Sequence, residues 1–396
     1  MGDVVRPPVG FGMNTVMGAG GQGQFLLAMV RALEAWGPSA VYAREVSSAL
    51  VQCVPLPFSS GWRRRAFDLI MGVPGLRRRS DWLALLSDED FDRRMAAAIG
   101  SLALFDGTMG QTHDTFRALN GTRTRRVLTS VITHPEHLQR VVDEERRRLG
   151  VRFASFVHPR MVQRAREEIA MADAVRVNSS GARQTFLDHG VAPDRVRSIN
   201  VGINLDHFRP VPKPDNVFRV MVVGWVAPHK GTLYALQAFE RAQLSNAELV
   251  FIGGTGDSWS RRLMEDAMAR LGNVRMTPMD PSREPIERHY GRASVMLHAS
   301  LIDGFGLVIP EALACGCPVI VTRESGASEL VRDGKNGFLV NARDVETMAE
   351  RLRLLHADAS LREQLAREAV SSVAHLSYER FAADVRALYD EVLARG

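Results

Sequence analysis

Residues 294–320 read Ser-Val-Met-Leu-His-Ala-Ser-Leu-Ile-Asp-Gly-Phe-Gly-Leu-Val-Ile-Pro-Glu-Ala-Leu-Ala-Cys-Gly-Cys-Pro-Val-Ile, and this stretch decides the fold class. Val295 to Leu297 has the make-up of a short buried strand, Asp303 to Gly306 that of a loop needing glycine freedom, and Pro310 to Ala314 that of a first helical turn. Strand, glycine loop and helix in that order form an anion site. The N–H groups of Leu307 and Val308 at the helix start lack intrahelical acceptors, and the helix dipole favours negative charge there. A diphosphate fits that description. Asp303 and Glu311 bracket the loop with seven residues between them, and carboxylates suit hydroxyls, as on a ribose or a hexose, better than phosphates.

Outward from this stretch the chain alternates strands and helices. Val217 to Val223, apolar except for Arg219, reads as a buried parallel strand ending in Gly224-Trp225-Val226-Ala227-Pro228-His229-Lys230-Gly231. Leu249 to Ile252 is a second strand, followed by Gly253-Gly254-Thr255-Gly256, and Asn273 to Met279 is a third. The proline-rich segment 210–215 is the linker. Before it, Ala103 to Phe105, Val127 to Thr133 and Asp173 to Val177 read as strands. The first two run into Asp106-Gly107-Thr108 and His134-Pro135, and the third into the cap Asn178-Ser179-Ser180. In open parallel sheets ligands sit at carboxyl ends of strands. The pattern predicts an α/β chain of two doubly wound Rossmann-like domains facing a cleft, 1–210 and 211–375.

Near the N-terminus, Gly18-Ala19-Gly20-Gly21-Gln22-Gly23 contains a literal GxGxxG, an apolar helical pattern follows, and Glu45 stands where a dinucleotide fold wants an acid. An NAD(P)-dependent oxidoreductase is therefore a rival reading. Against it, Pro7, Pro8, Gly10, Gly12 and Asn14 make a poor buried strand leading into that loop.

Composition narrows the remaining classes. With 45% hydrophobic and 24% charged residues in 396, the chain is of ordinary globular make-up. No apolar run reaches the roughly 18 residues of a membrane span, and the first residues have no signal-peptide core, so a cytoplasmic location is expected. Cys53, Cys315 and Cys317 cannot form a paired framework and read as packing residues, with no metal expected. The net charge of +5 comes from the N-terminal half and is nearly all arginine; Lys213, Lys230 and Lys335 are the only lysines. Trp62 to Arg79 is basic and flanked by aromatics. It suits either a peripheral contact with an anionic membrane at its inner face, an acidic acceptor, or a solvated helix face. Nucleic acid is not expected, since no recognition module accompanies the arginines.

The run Gly304-Phe305-Gly306-Leu307, Glu311-Ala312, Ala314, Gly316 and Pro318-Val319 resembles the acidic motif of the retaining GT-B glycosyltransferases of the group 1 family (glycosyltransferase family four). Lys230-Gly231, the turn at Gly334 to Gly337 and the residues around Gly202 resemble further parts of that family, and Gly20-Gly21 resembles its N-terminal glycine loop. The resemblance implies a hexosyltransferase that moves a sugar from a nucleoside diphosphate sugar to a glycan, lipid or small-molecule acceptor with retention, without metal or other cofactor. It implies catalytic roles for Asp303, His134 and Lys230. Donor contacts are implied for Gly20, Gly21, Gly224, Lys230, Gly254, Gly304, Phe305, Gly306, Leu307, Val308 and Glu311. The acceptor is implied to lie on the N-terminal domain, to which a final helix within 376–396 returns. Three positions depart from the pattern: Asp303 stands for Glu, Trp225 for Arg and Asn204 for Asp. The departures at Asp303 and Trp225 motivate a second alternative, a catalytically impaired relative acting as a binding or partner subunit.

Overall fold

The computed structural model describes residues 6–17, 20–57, 80–150, 157–255, 258–280 and 284–395. Trp62 to Arg79, read above as a membrane-facing or acceptor-binding segment, lies outside the described residues. Two compact units emerge: Met1–Gln139 with Ala154–Gly202 and Tyr378–Gly396, and Arg140–Phe153 with Ile203–Ser377. The division thus falls between Gly202 and Ile203 rather than at 210, and the proline-rich segment 210–215 belongs to the second unit.

The first unit is built on a seven-stranded sheet in the order β3-β2-β1-β4-β5-β6-β7, with β1 Val9–Val16, β2 Ser39–Glu45, β3 Gln52–Pro55, β4 Leu104–Thr108, β5 Arg125–Ser130, β6 Ala174–Val177 and β7 Val196–Ser198. Every neighbouring pair is parallel. An interior strand, paired on both sides, is β1, the segment whose glycines and prolines argued against a buried strand. Val9, Phe11 and Met13 alternate into the core, and the two glycines between them make room on the other face. A Cβ on Gly10 would lie 2.6 Å from Leu102 Cδ1, and one on Gly12 would lie 2.3 Å from the Met95 sulfur. These glycines serve close packing, which local composition alone does not reveal.

Asp106, read as a turn residue, is fully buried inside β4. Its carboxylate accepts from Thr129 Oγ1 on β5 at 2.5 Å and from Tyr389 Oη at 2.8 Å, and the Arg176 guanidinium of β6 lies 3.4 Å away. Burial pushes the acid up against the pull of Arg176. Tyr389 belongs to the helix Tyr378–Ala394, which packs on the helix Gly20–Glu34 with Phe25 and Phe381 edge to face at 6.2 Å. A buried charge satisfied from three elements fixes where this last helix docks.

The second unit has a six-stranded parallel sheet in the order β10-β9-β8-β11-β12-β13, with β8 Phe218–Val223, β9 Ala247–Ile252, β10 Val274–Thr277, β11 Val295–His298, β12 Val319–Thr322 and β13 Gly337–Val340. Val220, Leu249, Val295, Leu297 and Ile320 form its core, covered on one side by Phe239, Met348 and Leu352. Among the described residues no helix is long and apolar enough to cross a membrane.

Candidate active site

In the second sheet the strand order reverses between β8 and β11. These strands lie side by side and parallel, and the carboxyl ends of strands at such a switch point are where open α/β sheets take ligands. The β8 loop runs from Gly224 (φ +122°) to Gly231 (φ +68°). Gly231 has to be glycine for a second reason, since a Cβ there would lie 1.8 Å from the Ala299 carbonyl oxygen. The same two loops are joined where Leu301 N donates to the His229 carbonyl at 2.8 Å.

Their juxtaposition produces a charged pair. Lys230 Nζ donates to Asp303 Oδ2 at 2.6 Å, and His298 Nε2, at the end of β11, stands 3.6 Å from the same oxygen. Burial pushes the Asp303 carboxyl up, but Lys230 and His298 outweigh it and hold the acid well below the usual carboxylate range. Lys230 is thereby held at the switch point.

After Asp303 the chain turns at Gly306 (φ +86°) into the helix Val308–Ala314. Leu307 and Val308 stand at its cap and first position, where backbone N–H groups have no intrahelical acceptor. Glu311, in the first turn, accepts from Tyr290 Oη at 2.9 Å. The other Glu311 oxygen has no protein partner among the described residues, which leaves it for a hydroxyl. Burial raises this carboxyl to about 7, the Tyr290 bond pulling it down. Tyr290 is itself buried, its ring tilted against Phe208 at 6.3 Å.

Asp303, Lys230, Glu311, Gly224, Gly304, Gly306, Leu307 and Val308 all lie in these two loops and the helix they lead into. Gly254 lies in the neighbouring loop after β9, where its carbonyl accepts from Val226 N at 2.8 Å. Phe305 is in the same stretch, its side chain buried with 3% of its surface exposed, and its carbonyl accepts from Ala327 N. Gly20 and Gly21 are the first residues of a helix in the first unit, with open space where a Cβ would stand; Gly18 lies outside the described residues.

His134 lies in the first unit. It precedes the helix Pro135–Leu149, its ring is 4% exposed, and it stacks on His189 at 4.1 Å with Phe186 edge-on at 5.2 Å. Burial first, then the neighbouring His189, His137 and Arg166, lower it to about 4. Because β5 ends at Ser130, His134 falls beyond the strand end and into helix packing, a distance the sequence, read as a strand to Thr133, understated. One nitrogen each of His134 and His189 and an oxygen of Glu136 lie within 4.8 Å of one another, a set that could hold a cation; Glu136 already pairs with Arg166 at 3.2 Å.

Two residues of the site, Tyr290 and His298, escaped sequence reasoning. His298 directly precedes the Ala-Ser-Leu-Ile-Asp run and could have been found there. Tyr290 lies in a helix whose sequence carries no signal of what its hydroxyl would meet.

Residues 204–371 match the family of glycosyl transferases group 1. Among curated relatives, the D-inositol 3-phosphate glycosyltransferase of Acidothermus cellulolyticus is 31% identical over 249 residues, 57% of this chain and 55% of the relative. That of Streptosporangium roseum is 32% identical over 248 residues, 57% of each. The chain thus spans a little over half the length of these relatives. In fold it is similar to sucrose-phosphate synthase from Thermosynechococcus elongatus, with a TM-score of 0.76 at 21% identity, covering 99% of this chain and 100% of that one. Anabaena Alr3699/HepE, solved in complex with UDP and glucose, has a TM-score of 0.67 at 17% identity, with 98% and 100% covered. The two parallel sheets are those of the GT-B fold, and residues 204–371 are similar to the glycosyl transferases group 1 family.

Proposed function

We propose that the protein transfers a hexosyl unit from a nucleoside diphosphate sugar to a hydroxyl acceptor, with retention at the anomeric carbon. The bond from that carbon to the diphosphate breaks, one from the acceptor oxygen forms, and the acceptor's proton leaves with the diphosphate. The observation that carries this reading is the Lys230–Asp303 pair at the switch point between β8 and β11, one short loop before Glu311.

Lys230 and the amides of Leu307 and Val308 would stabilise charge on the departing diphosphate. Glu311, oriented by Tyr290, would accept from the ribose hydroxyls, and Asp303 would hold Lys230 in place while facing the hexose. Positive charge from lysine and backbone makes a metal ion unnecessary, and no cofactor is needed beyond the donor itself. His134, buried against His189, is left out of this set. The acceptor, a glycan, a lipid or a small molecule, would be held by the first unit.

Titrating the purified protein with UDP, GDP, ADP, their hexose conjugates and NAD(P) tests the reading, with Lys230→Ala and Glu311→Ala alongside. A rise in melting temperature with one nucleoside diphosphate, lost in both variants, supports it. Stabilisation by NAD(P) alone, unchanged in both, would revive the oxidoreductase reading of the Gly20 helix. Binding without release of nucleoside diphosphate in any acceptor mixture would favour the impaired relative, which the exposed Trp225 in place of a cation keeps in view.

A further inference from the structure

Trp225 is 65% exposed, the most exposed aromatic side chain among the described residues. Its backbone is nonetheless fixed on both sides. Gly224 N donates to the Ile252 carbonyl at 2.9 Å and Val226 N to the Gly254 carbonyl at 2.8 Å. A Cβ on Gly253 would lie 2.0 Å from the Gly224 carbonyl oxygen, so the β8 and β9 loops are in contact just beneath the indole. The ring itself rests on the bare Cα of Gly254, where a Cβ would stand 3.4 Å from Cζ3 and 3.9 Å from Cε3 and Cη2. Among the described residues the indole has no aromatic, cationic or hydrogen-bonding partner.

A large apolar ring held out by a rigid backbone at the carboxyl edge of a sheet contributes little to the core. It gives up the burial that would otherwise stabilise the fold. The same loop carries Lys230, whose ammonium is already engaged by Asp303. Here the loop presents an aromatic face where the related pattern has a second cation. Stacking needs a flat or C–H-lined ring opposite, as a nucleobase or a pyranose supplies.

We infer that Trp225, backed by Gly254, is a stacking platform for a ring of the donor, and so a specificity-determining residue of the site. This rests on the donor reading proposed above, with the ring being either the base or the hexose. Binding energy that an arginine would draw from phosphate charge comes here from ring contact. Donor affinity is accordingly less sensitive to salt than a two-cation site would be.

The test measures tryptophan fluorescence and calorimetric affinity for UDP, GDP and ADP and for UDP-glucose, GDP-mannose and ADP-glucose. Wild type, Trp225→Phe and Trp225→Ala are compared, each with its melting temperature. Because Trp225 is exposed, both variants are expected to melt with the wild type. The ligand that binds should quench wild-type fluorescence, and the quench should be absent in Trp225→Phe. Trp225→Ala should weaken binding by about 5- to 150-fold, the range of base–aromatic stacking. If the base is the stacked ring, diphosphate and conjugate lose affinity equally; if the hexose is, only the conjugate does. Unchanged affinity of Trp225→Ala for a diphosphate and conjugate that the wild type binds would overturn the inference alone. Failure of the folded wild type to bind any of them would overturn the donor reading and the inference with it.

Discussion

Replacing Lys230 by methionine removes the ammonium from Asp303 while keeping the length of the stem, and the consequence can be worked from the geometry. The Nζ–Oδ2 distance is 2.6 Å, with 33% of the lysine and 16% of the aspartate side chain exposed. At that separation two unit charges attract by about 6 kcal/mol at an effective dielectric of about 20. Water reaching the lysine screens the pair, and desolvation of both ions offsets much of the remainder, which leaves a net coupling of about 2 kcal/mol. Urea unfolding of wild type, Lys230→Met, Asp303→Asn and the double variant at about pH 7 measures that coupling as a double-mutant cycle. Lys230→Met alone should be the most destabilised, since it strands a carboxylate in a partly buried place, and Asp303→Asn introduced into it should recover part of the loss. The pH dependence has a definite sign. Asp303 is held below its unfolded value, so its contribution is complete above the ordinary carboxylate range and is lost only as pH falls through the folded value. The coupling should therefore be flat from about pH 5 to 8. A coupling under about 0.5 kcal/mol, the level of an exposed surface pair, would refute the claim that this pair is a built part of the site.

Glu311, pushed up to about 7, behaves in the opposite sense. Nucleoside diphosphate affinity should rise as pH passes through about 7 and the carboxylate forms, while Glu311→Gln shows no such step. Wild-type stability relative to Glu311→Gln should fall over the same interval, because a raised carboxyl stabilises the fold below its unfolded value and loses that contribution through the folded one; chemical denaturation at several pH values checks this. Tyr389→Phe, which removes a buried donor from Asp106, should cost about 1–3 kcal/mol in urea, and a loss under about 0.5 kcal/mol would mean that the other donors satisfy the acid. Gly231→Ala should destabilise more than Gly224→Ala. Both have positive φ, but only Gly231 has a carbonyl oxygen, that of Ala299, in the way of a Cβ; equal melting temperatures would count against the loop-to-loop contact that positions Lys230.

How much of this was legible beforehand differs between the two units. In the second, apolar runs of strand length ended in glycine turns, and residues 294–320 carried their loop, acids and helix in one short interval. Local order in the chain is then nearly local order in space, and Asp303, Gly306 and Glu311 could be placed by spacing alone. In the first unit the same habits misled. Glycines at 10 and 12 read as strand breakers but admit Leu102 and Met95 side chains, and Asp106 read as a turn because its partners, Arg176 and Tyr389, come from distant parts of the chain.

By itself, then, the sequence determined the α/β alternation, the glycine loops that follow the strands, and the residue types at the candidate site, since each depends on a short run of neighbours. Tertiary structure decided the rest. It brought Lys230 onto Asp303 and Tyr290 onto Glu311, set Trp225 on Gly254, and turned His134 into the packing against His189. Such contacts depend on strand order and loop direction, and charge and hydroxyl partners chosen across tens of residues leave no periodicity for a one-dimensional reading to find.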